Sequence, residues 1–365
     1  MRILYVINGF DPGGAEHGLL TLIRTGCFDG HELRVLGFCR GRGELANVIR
    51  NTLGDDKFEI VSDSEKLTLW ACLVGFVRIL VLGVKYRPRK MILSLKQANI
   101  VGRLAAIFMP KIQCVSFEHT AEYRARRFNG VYGPLLRLLS FRVDEIWADC
   151  QETLNQASEY FTSKQRVGHV VALYLANIDA PHKFSYEIGD TLQLSTAGRL
   201  IPGKNILQMI HLVSDIHASG RSVTLDVYGD GPELNTLQTL VESLALKDLV
   251  SFHGYKADWL PNVIQTDIFI NLSEMEGFCI VVGEAMAAAM PIIAVDVGGI
   301  RDYGVDGKNM LKSANADIRH VRTLIEKLHN DKSLREKIGC QARKDILDEY
   351  SVNSCKARMV HTLSS

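Results

Sequence analysis

Short apolar runs alternate with longer segments of helical period along nearly the whole chain. Arg2–Asn8, 33–39, 58–62, MILSL (91–95), IQCVSF (112–117) and DEIWADCQET (144–153) read as strands with their turns in the first half. LQLSTAGRL (192–200), SVTLDVYGDG (222–231), VSFHGY (250–255), IFINL (268–272) and PIIAVDVGG (291–299) do so in the second. Each is a nearly unbroken apolar run, the pattern of a strand buried on both faces. Helical stretches follow them: after Gly14, over Ala98–Phe108, Lys204–Ala218, Pro232–Ala245 and Asp258–Gln265, and from just after Gly277. Three further helices, Ala316–Leu328, Ser333–Glu349 and Val352–Leu363, complete the chain. Strand–helix alternation of this kind implies right-handed crossovers and doubly wound parallel sheets. With 365 residues the chain fits two domains of about 180 residues each.

The polar motifs fall just after strands: Arg199, Gly229–Gly231, Gly254-Tyr255, Ser273–Gly277 and Gly298-Gly299. They therefore reach the carboxyl edge of a sheet, where open α/β folds bind ligands. Ser273–Met286, SEMEGFCIVVGEAM, sits at a strand-to-helix turn whose free N–H groups suit an anion. Glu276 and Glu284 are eight residues apart, about 12 Å on a fully helical backbone and less if the helix starts late. Arg199 and Lys204 offer fixed positive charge to a diphosphate. In the first half, Gly13 and Gly14 allow a close backbone approach to a ligand, and His119 ends a strand. Each feature also has a plainer reading: a helix cap and a satisfied carboxylate for the glutamates, surface charge for Arg199 and Lys204, turn chemistry for the glycines, a structural imidazole for His119.

Taken together the residues carry more. Ser-x-x-Glu-Gly-Phe, then Glu-Ala-Met, then Pro, then Gly-Gly-Ile-x-Asp resembles the donor site of the family-4 retaining glycosyltransferases of GT-B fold. The resemblance implies an α/β protein of two Rossmann-like doubly wound domains facing each other across a cleft. In its terms Glu276 holds donor-sugar hydroxyls and Glu284 the ribose. The Gly-Arg-Leu-x-x-x-Lys pattern assigns Arg199 and Lys204 to the leaving diphosphate, with backbone amides of Gly277, Phe278 and Cys279 beside them. Gly254 and Tyr255 match the stretch that meets the base. Gly13 and Gly14 match a Gly-Gly-Ala-Glu loop facing the donor, and His119 a donor-sugar contact. Family members commonly carry Ser where Cys150 stands. Asn177, Ile178 and Asp179 resemble the family's interdomain Asn-Gly-Ile-Asp with its Gly missing. The domains are thus expected at 1–176, acceptor-side, and 177–349, donor-binding, with a last helix at 350–365 crossing back to the first.

Net charge is only +1, but residues 1–186 carry 24 basic and 18 acidic side chains against 18 and 23 in the remainder. Within 64–143 stand 14 basic residues and only Glu65, Glu118 and Glu122, a block drawn to anionic surfaces. It contains Leu67–Val84, the most apolar segment. This reads as a helix packed on a sheet and partly facing lipid rather than a span, because Arg78 interrupts it and Thr68, Gly75, Arg78 and Lys85 form a stripe. A basic cluster at Lys85, Arg87, Arg89 and Lys90 follows. Arg124, Arg126, Arg127, Arg137 and Arg142 then alternate with apolar and aromatic residues, as suits a membrane surface or a solvated helix. No recognised nucleic-acid module accompanies them.

The eight cysteines show neither C-x-x-C nor zinc spacing and read as small buried hydrophobes in a reducing compartment. Arg2–Asn8 reads as a strand rather than a signal peptide. There is no Asp-x-Asp and no phosphate-binding Gly-x-x-x-x-Gly-Lys-Ser/Thr, so neither a metal bridging donor phosphates nor a nucleotide triphosphatase is indicated, and no cofactor is expected. The expected activity is a retaining, metal-independent transfer of a hexose from a nucleotide-diphosphate sugar, UDP-sugar ahead of GDP-mannose. A lipid-linked or membrane-associated saccharide would accept it during cell-surface polysaccharide synthesis, on the cytoplasmic face of the inner membrane. A GT-B nucleotide-sugar epimerase and a non-catalytic subunit of a membrane-bound assembly are the alternatives.

Overall fold

The computed structural model describes residues 1–11, 13–119, 132–161, 166–174 and 176–364. Contacts divide it into two compact units, Met1–Leu175 with Val352–Ser365, and Ala176–Ser351.

The first unit has strands β1 (Arg2–Ile7), β2 (Glu32–Gly37), β3 (Phe58–Ile60), β4 (Lys90–Ser94), β5 (Gln113–Glu118), β6 (Glu145–Ala148) and β7 (Val167–Val170). They form one parallel sheet in the order β3-β2-β1-β4-β5-β6-β7. The order reverses between β1 and β4, as in a doubly wound sheet. Between the strands run α1 (Gly14–Arg24), α2 (Leu45–Leu53), α3 (Leu69–Lys85), α4 (Lys96–Ile107), α5 (Tyr132–Leu138) and α6 (Gln151–Tyr160). Alternate residues of β1 feed opposite faces: Ile3, Tyr5 and Ile7 join one core cluster, Leu4 and Val6 the other. That two-sided burial is why RILYVI shows no polar alternation.

The second unit holds β8 (Leu192–Ala197), β9 (Val223–Tyr228), β10 (Val250–Phe252), β11 (Ile268–Asn271), β12 (Ile292–Val295) and β13 (Leu311–Ser313). All pair in parallel in the order β10-β9-β8-β11-β12-β13, so β8 and β11 flank the reversal. Its helices are α7 (Ile206–Ala218), α8 (Leu234–Ser243), α9 (Leu260–Val263), α10 (Ile280–Ala287), α11 (Ile300–Tyr303), α12 (Ile318–Asn330) and α13 (Lys332–Tyr350). The last helix, α14 (Val352–Ser364), places Met359 and Leu363 in the core of the first unit.

Two strands go beyond the sequence reading. β7 and β13 lie in stretches to which the sequence reading assigned no element. β7 is a partly exposed edge strand and β13 only three residues long, so neither leaves a strong apolar signature. The basic block also needs correction. Lys90 and Arg103 are buried, Lys90 paired with Glu145 at 3.0 Å and Arg103 bonded to Leu136 O and Asn99 Oδ1. Arg78 is bound by both oxygens of Glu59, and Arg142 donates to Ala106 O and Ile112 O. The block is thus partly structural rather than a surface patch throughout. Arg124, Arg126 and Arg127 lie outside the described residues.

Candidate functional site

The second unit concentrates its candidates where β8 and β11 diverge. β8 runs into Gly198 and Arg199, then a 3-10 turn at Pro202–Lys204. β11 runs into Ser273–Gly277. Three links join these loops: Asn205 Nδ2 donates to Leu272 O at 2.8 Å, Glu274 N donates to Gly203 O at 2.9 Å, and Lys204 Nζ meets Glu276 Oε1 at 2.5 Å. Asn205 adopts the left-handed conformation, φ 56°, to turn its amide under the second loop. Burial opposes ionisation of both members of the Lys204–Glu276 pair, yet their mutual attraction wins: Lys204 is held above its usual pKa and Glu276 below. Arg199, by contrast, is exposed and makes no side-chain bond among the described residues. The structure therefore joins Lys204 to Glu276, which the sequence had given separate roles, and leaves Arg199 unengaged.

The loop carrying Glu276 is clamped from β12's side. Gly299 N donates to Gly277 O at 2.6 Å, and Tyr303 Oη donates to Phe278 O and Cys279 O at 2.9 and 3.1 Å. The Phe278 ring packs against those of Tyr303 and Tyr350. Gly298 sits at φ 53°, and a Cβ there would come within 2.2 Å of Glu276 O. Only glycine fits that approach. Cys279 enters α10 in a left-handed conformation, φ 63°, and burial pushes its thiol well above the ordinary range. α10 starts only at Ile280, so Glu276 stands in the loop before the helix and Glu284 within it, with the first-turn N–H groups beside the Lys204–Glu276 pair.

Glu284 lies on α10 and accepts from Trp259 Nε1 at 2.9 Å. Burial pushes its carboxyl up to about 7, and the indole N–H only partly offsets this. Trp259 is itself held between Tyr228 and Phe269. Sequence reasoning did not single out Trp259, because a tryptophan between two strands reads as core. Nearby, Gly254 takes φ 68° and its carbonyl accepts from Gly229 N at 2.8 Å, while the Tyr255 side chain is 56% exposed. His253 Nε2 meets Asp226 Oδ1 at 2.7 Å with its ring stacked on Tyr228.

In the first unit Gly13 caps α1 and Gly14 opens it. Gly13 O accepts from His17 N, and Gly13 N donates to Asp11 O. Glu16, unremarked as a candidate in the sequence, is buried against Gly13. Burial raises its carboxyl to about 7, opposed by a bond from its own backbone N–H and aided by nearby Asp11. His119 follows β5 and meets Ser94 Oγ through Nε2 at 2.7 Å, its ring 4.3 Å from that of Phe117. Burial lowers its pKa to about 3, and Nδ1 has no partner among the described residues. Cys150 caps α6, its Sγ accepting from Thr153 N, which is the work a serine would do.

Residues 180–345 match the family model described as Glycosyl transferases group 1. The group 1 segment lies within the second unit and contains Arg199, Lys204, Gly254, Tyr255, Glu276–Cys279 and Glu284. Gly13, Gly14 and His119 fall outside it. The capsular polysaccharide biosynthesis glycosyltransferase CapM of Staphylococcus aureus is 29% identical over 181 residues, covering 48% of this chain and 47% of that protein. The lipopolysaccharide core biosynthesis glycosyltransferase LpsE of Rhizobium meliloti is 25% identical over 198 residues, 54% of this chain and 55% of its own. The matched region thus spans about half the length of these relatives. Among solved structures, Anabaena HepE, crystallised with UDP-glucose, superposes with a TM-score of 0.82 at 18% identity over 100% of this chain and 99% of its own. The fold is that of GT-B proteins: two Rossmann-like α/β domains.

Proposed function

We propose that the protein is a family-4, retaining, metal-independent glycosyltransferase. It moves a hexose from a nucleotide-diphosphate sugar, UDP-sugar ahead of GDP-mannose, to a lipid-linked or membrane-associated saccharide in cell-surface polysaccharide synthesis. The Lys204–Glu276 pair at the reversal of the second sheet carries the reading. It sets a cation and a carboxylate at one point, beside the start of α10, the helix that carries Glu284. When donor binds, the diphosphate takes over Lys204, and Glu276 is released to accept from sugar hydroxyls. Arg199, already exposed, adds the second positive charge as the glycosidic bond breaks and negative charge grows on the leaving group. Glu284 accepts from the ribose diol. The departing phosphate takes the acceptor's proton, so no separate base is needed. The names of CapM and LpsE support a cell-surface acceptor.

The deciding assay incubates purified protein with UDP-, GDP-, ADP- and dTDP-hexoses, with EDTA or magnesium, and a lipid-saccharide extract. Transfer with retained anomeric configuration in EDTA supports the reading. An inverted product, a strict magnesium requirement, or interconversion of donors with no acceptor present rejects it.

A further inference from the structure

The most unusual surface of the described molecule is α3. Its buried side, Ala71, Gly75, Ile79 and Leu82, packs on the first sheet's core, where Gly75 sits against the Phe38 ring. A helix of a water-facing protein would carry polar residues on the opposite side. Instead Leu69, Trp70, Leu73, Val77 and Val84 stand there, between 54% and 78% exposed. The predicted polar stripe does not interrupt this side: Gly75 is turned inward and Arg78 is held by Glu59. α4 packs alongside and extends the apolar surface through exposed Ile107 and Phe108, the latter edge-on to Phe76 at 6.1 Å.

A contiguous apolar surface of this kind marks a contact. Its surroundings identify the other party. Lys66 precedes α3, Lys85 and Arg87 close it, and Lys111 follows α4, all exposed. From Lys66 to Phe117 there is no Asp or Glu in the sequence. A second copy docked face to face would set this predominantly basic rim against its equal. An anionic bilayer offers apolar depth for the side chains and negative charge for the rim. α3, 17 residues or about 25 Å long, has its apolar side parallel to its axis, as for a helix lying in the interface. No helix among the described residues is long and apolar enough to cross a membrane.

We propose that the outer faces of α3 and the end of α4 form a docking surface for an anionic phospholipid bilayer, with Trp70 inserted at the headgroup boundary. The inference stands apart from the transferase reading, because it is measured with no donor or acceptor present.

The chain contains its own reporter. Of three tryptophans, Trp147 and Trp259 are buried and Trp70 is 72% exposed. Vesicles of phosphatidylcholine with about a third phosphatidylglycerol should blue-shift the emission of the intact protein, and pure phosphatidylcholine far less. In co-sedimentation, Trp70→Glu with Leu73→Glu should abolish binding. Lys85→Gln with Lys111→Gln should lower it roughly tenfold at low salt. No emission shift, equal binding to neutral vesicles, or binding unchanged in the Glu variant overturns the proposal. So does a lipid-free dimer in sedimentation velocity that the same Glu variant dissociates.

Discussion

Lys204 Nζ lies 2.5 Å from Glu276 Oε1, with both side chains largely withdrawn from solvent. Removing one partner strands the other charge in a poorly solvated place, at a cost of about 3 kcal/mol. Lys204→Met and Glu276→Gln should each lower stability by about that amount in urea unfolding. The double variant should lose clearly less than the sum. Both single variants should lose transfer activity while Glu276→Gln still binds nucleotide. Additive losses would mean that the two residues do not act as a pair.

The proposed ribose contact of Glu284 predicts pH-dependent binding. Ribose hydroxyls donate to a carboxylate, and burial holds this one protonated below about 7. Nucleotide affinity, read by calorimetry, should rise with pH to about 7 and then level, and Glu284→Gln should flatten the curve. The unliganded fold should respond in the opposite sense. Between the ordinary carboxylate range and about 7 the folded state holds more protons than the unfolded, so stability falls as pH rises through that window.

Trp259 supplies the hydrogen bond that restrains that shift. Trp259→Phe keeps the ring between Tyr228 and Phe269 but loses the N–H donor. The pH midpoint for nucleotide binding should then move upward, with a stability loss of about 1 kcal/mol. An unmoved midpoint would leave Trp259 as packing alone.

Gly298→Ala tests the clamp on the Glu276 loop. The new methyl meets Glu276 O in a backbone conformation alanine disfavours, so a cost of about 1–3 kcal/mol is expected in thermal unfolding. Turnover should fall further than stability alone explains, because the carbonyl that must yield belongs to Glu276 itself.

His119 is held neutral at any working pH, since its pKa is lowered to about 3. His119→Asn should reduce turnover without altering nucleotide affinity or adding or removing a limb of the pH–rate profile above about 5. A missing acid limb in the variant would show that the imidazole titrates.

The sequence made the alternation of elements legible because both sheets are buried on two faces and their strands are unbroken apolar runs. It also put the second-unit candidates other than Glu284 in the loops that follow strands. Pairing across loops was not legible: Lys204 and Glu276 are 72 residues apart, and only the adjacency of β8 and β11 brings them together. Trp259 was hidden because its indole looks like core until its N–H is seen to end on Glu284. The charge of residues 64–143 misled in part because a count cannot tell Lys90, bonded to Glu145 inside the fold, from exposed Lys85. α3 looked apolar in sequence, but which side remained bare depended on where Phe38 and Glu59 stood.

Ala176 N donates to Tyr350 O at 2.8 Å, so the second unit enters and leaves at neighbouring points, while α14 returns to the first unit's core. During translation the first unit therefore cannot be completed when its sheet emerges. It waits, lacking Met359 and Leu363, while all of Ala176–Ser351 is made, a delay on the order of ten seconds. The second unit, contiguous in sequence, can close first. The domain synthesised first is the one finished last, and for that interval its unsealed core is open to chaperones and proteases.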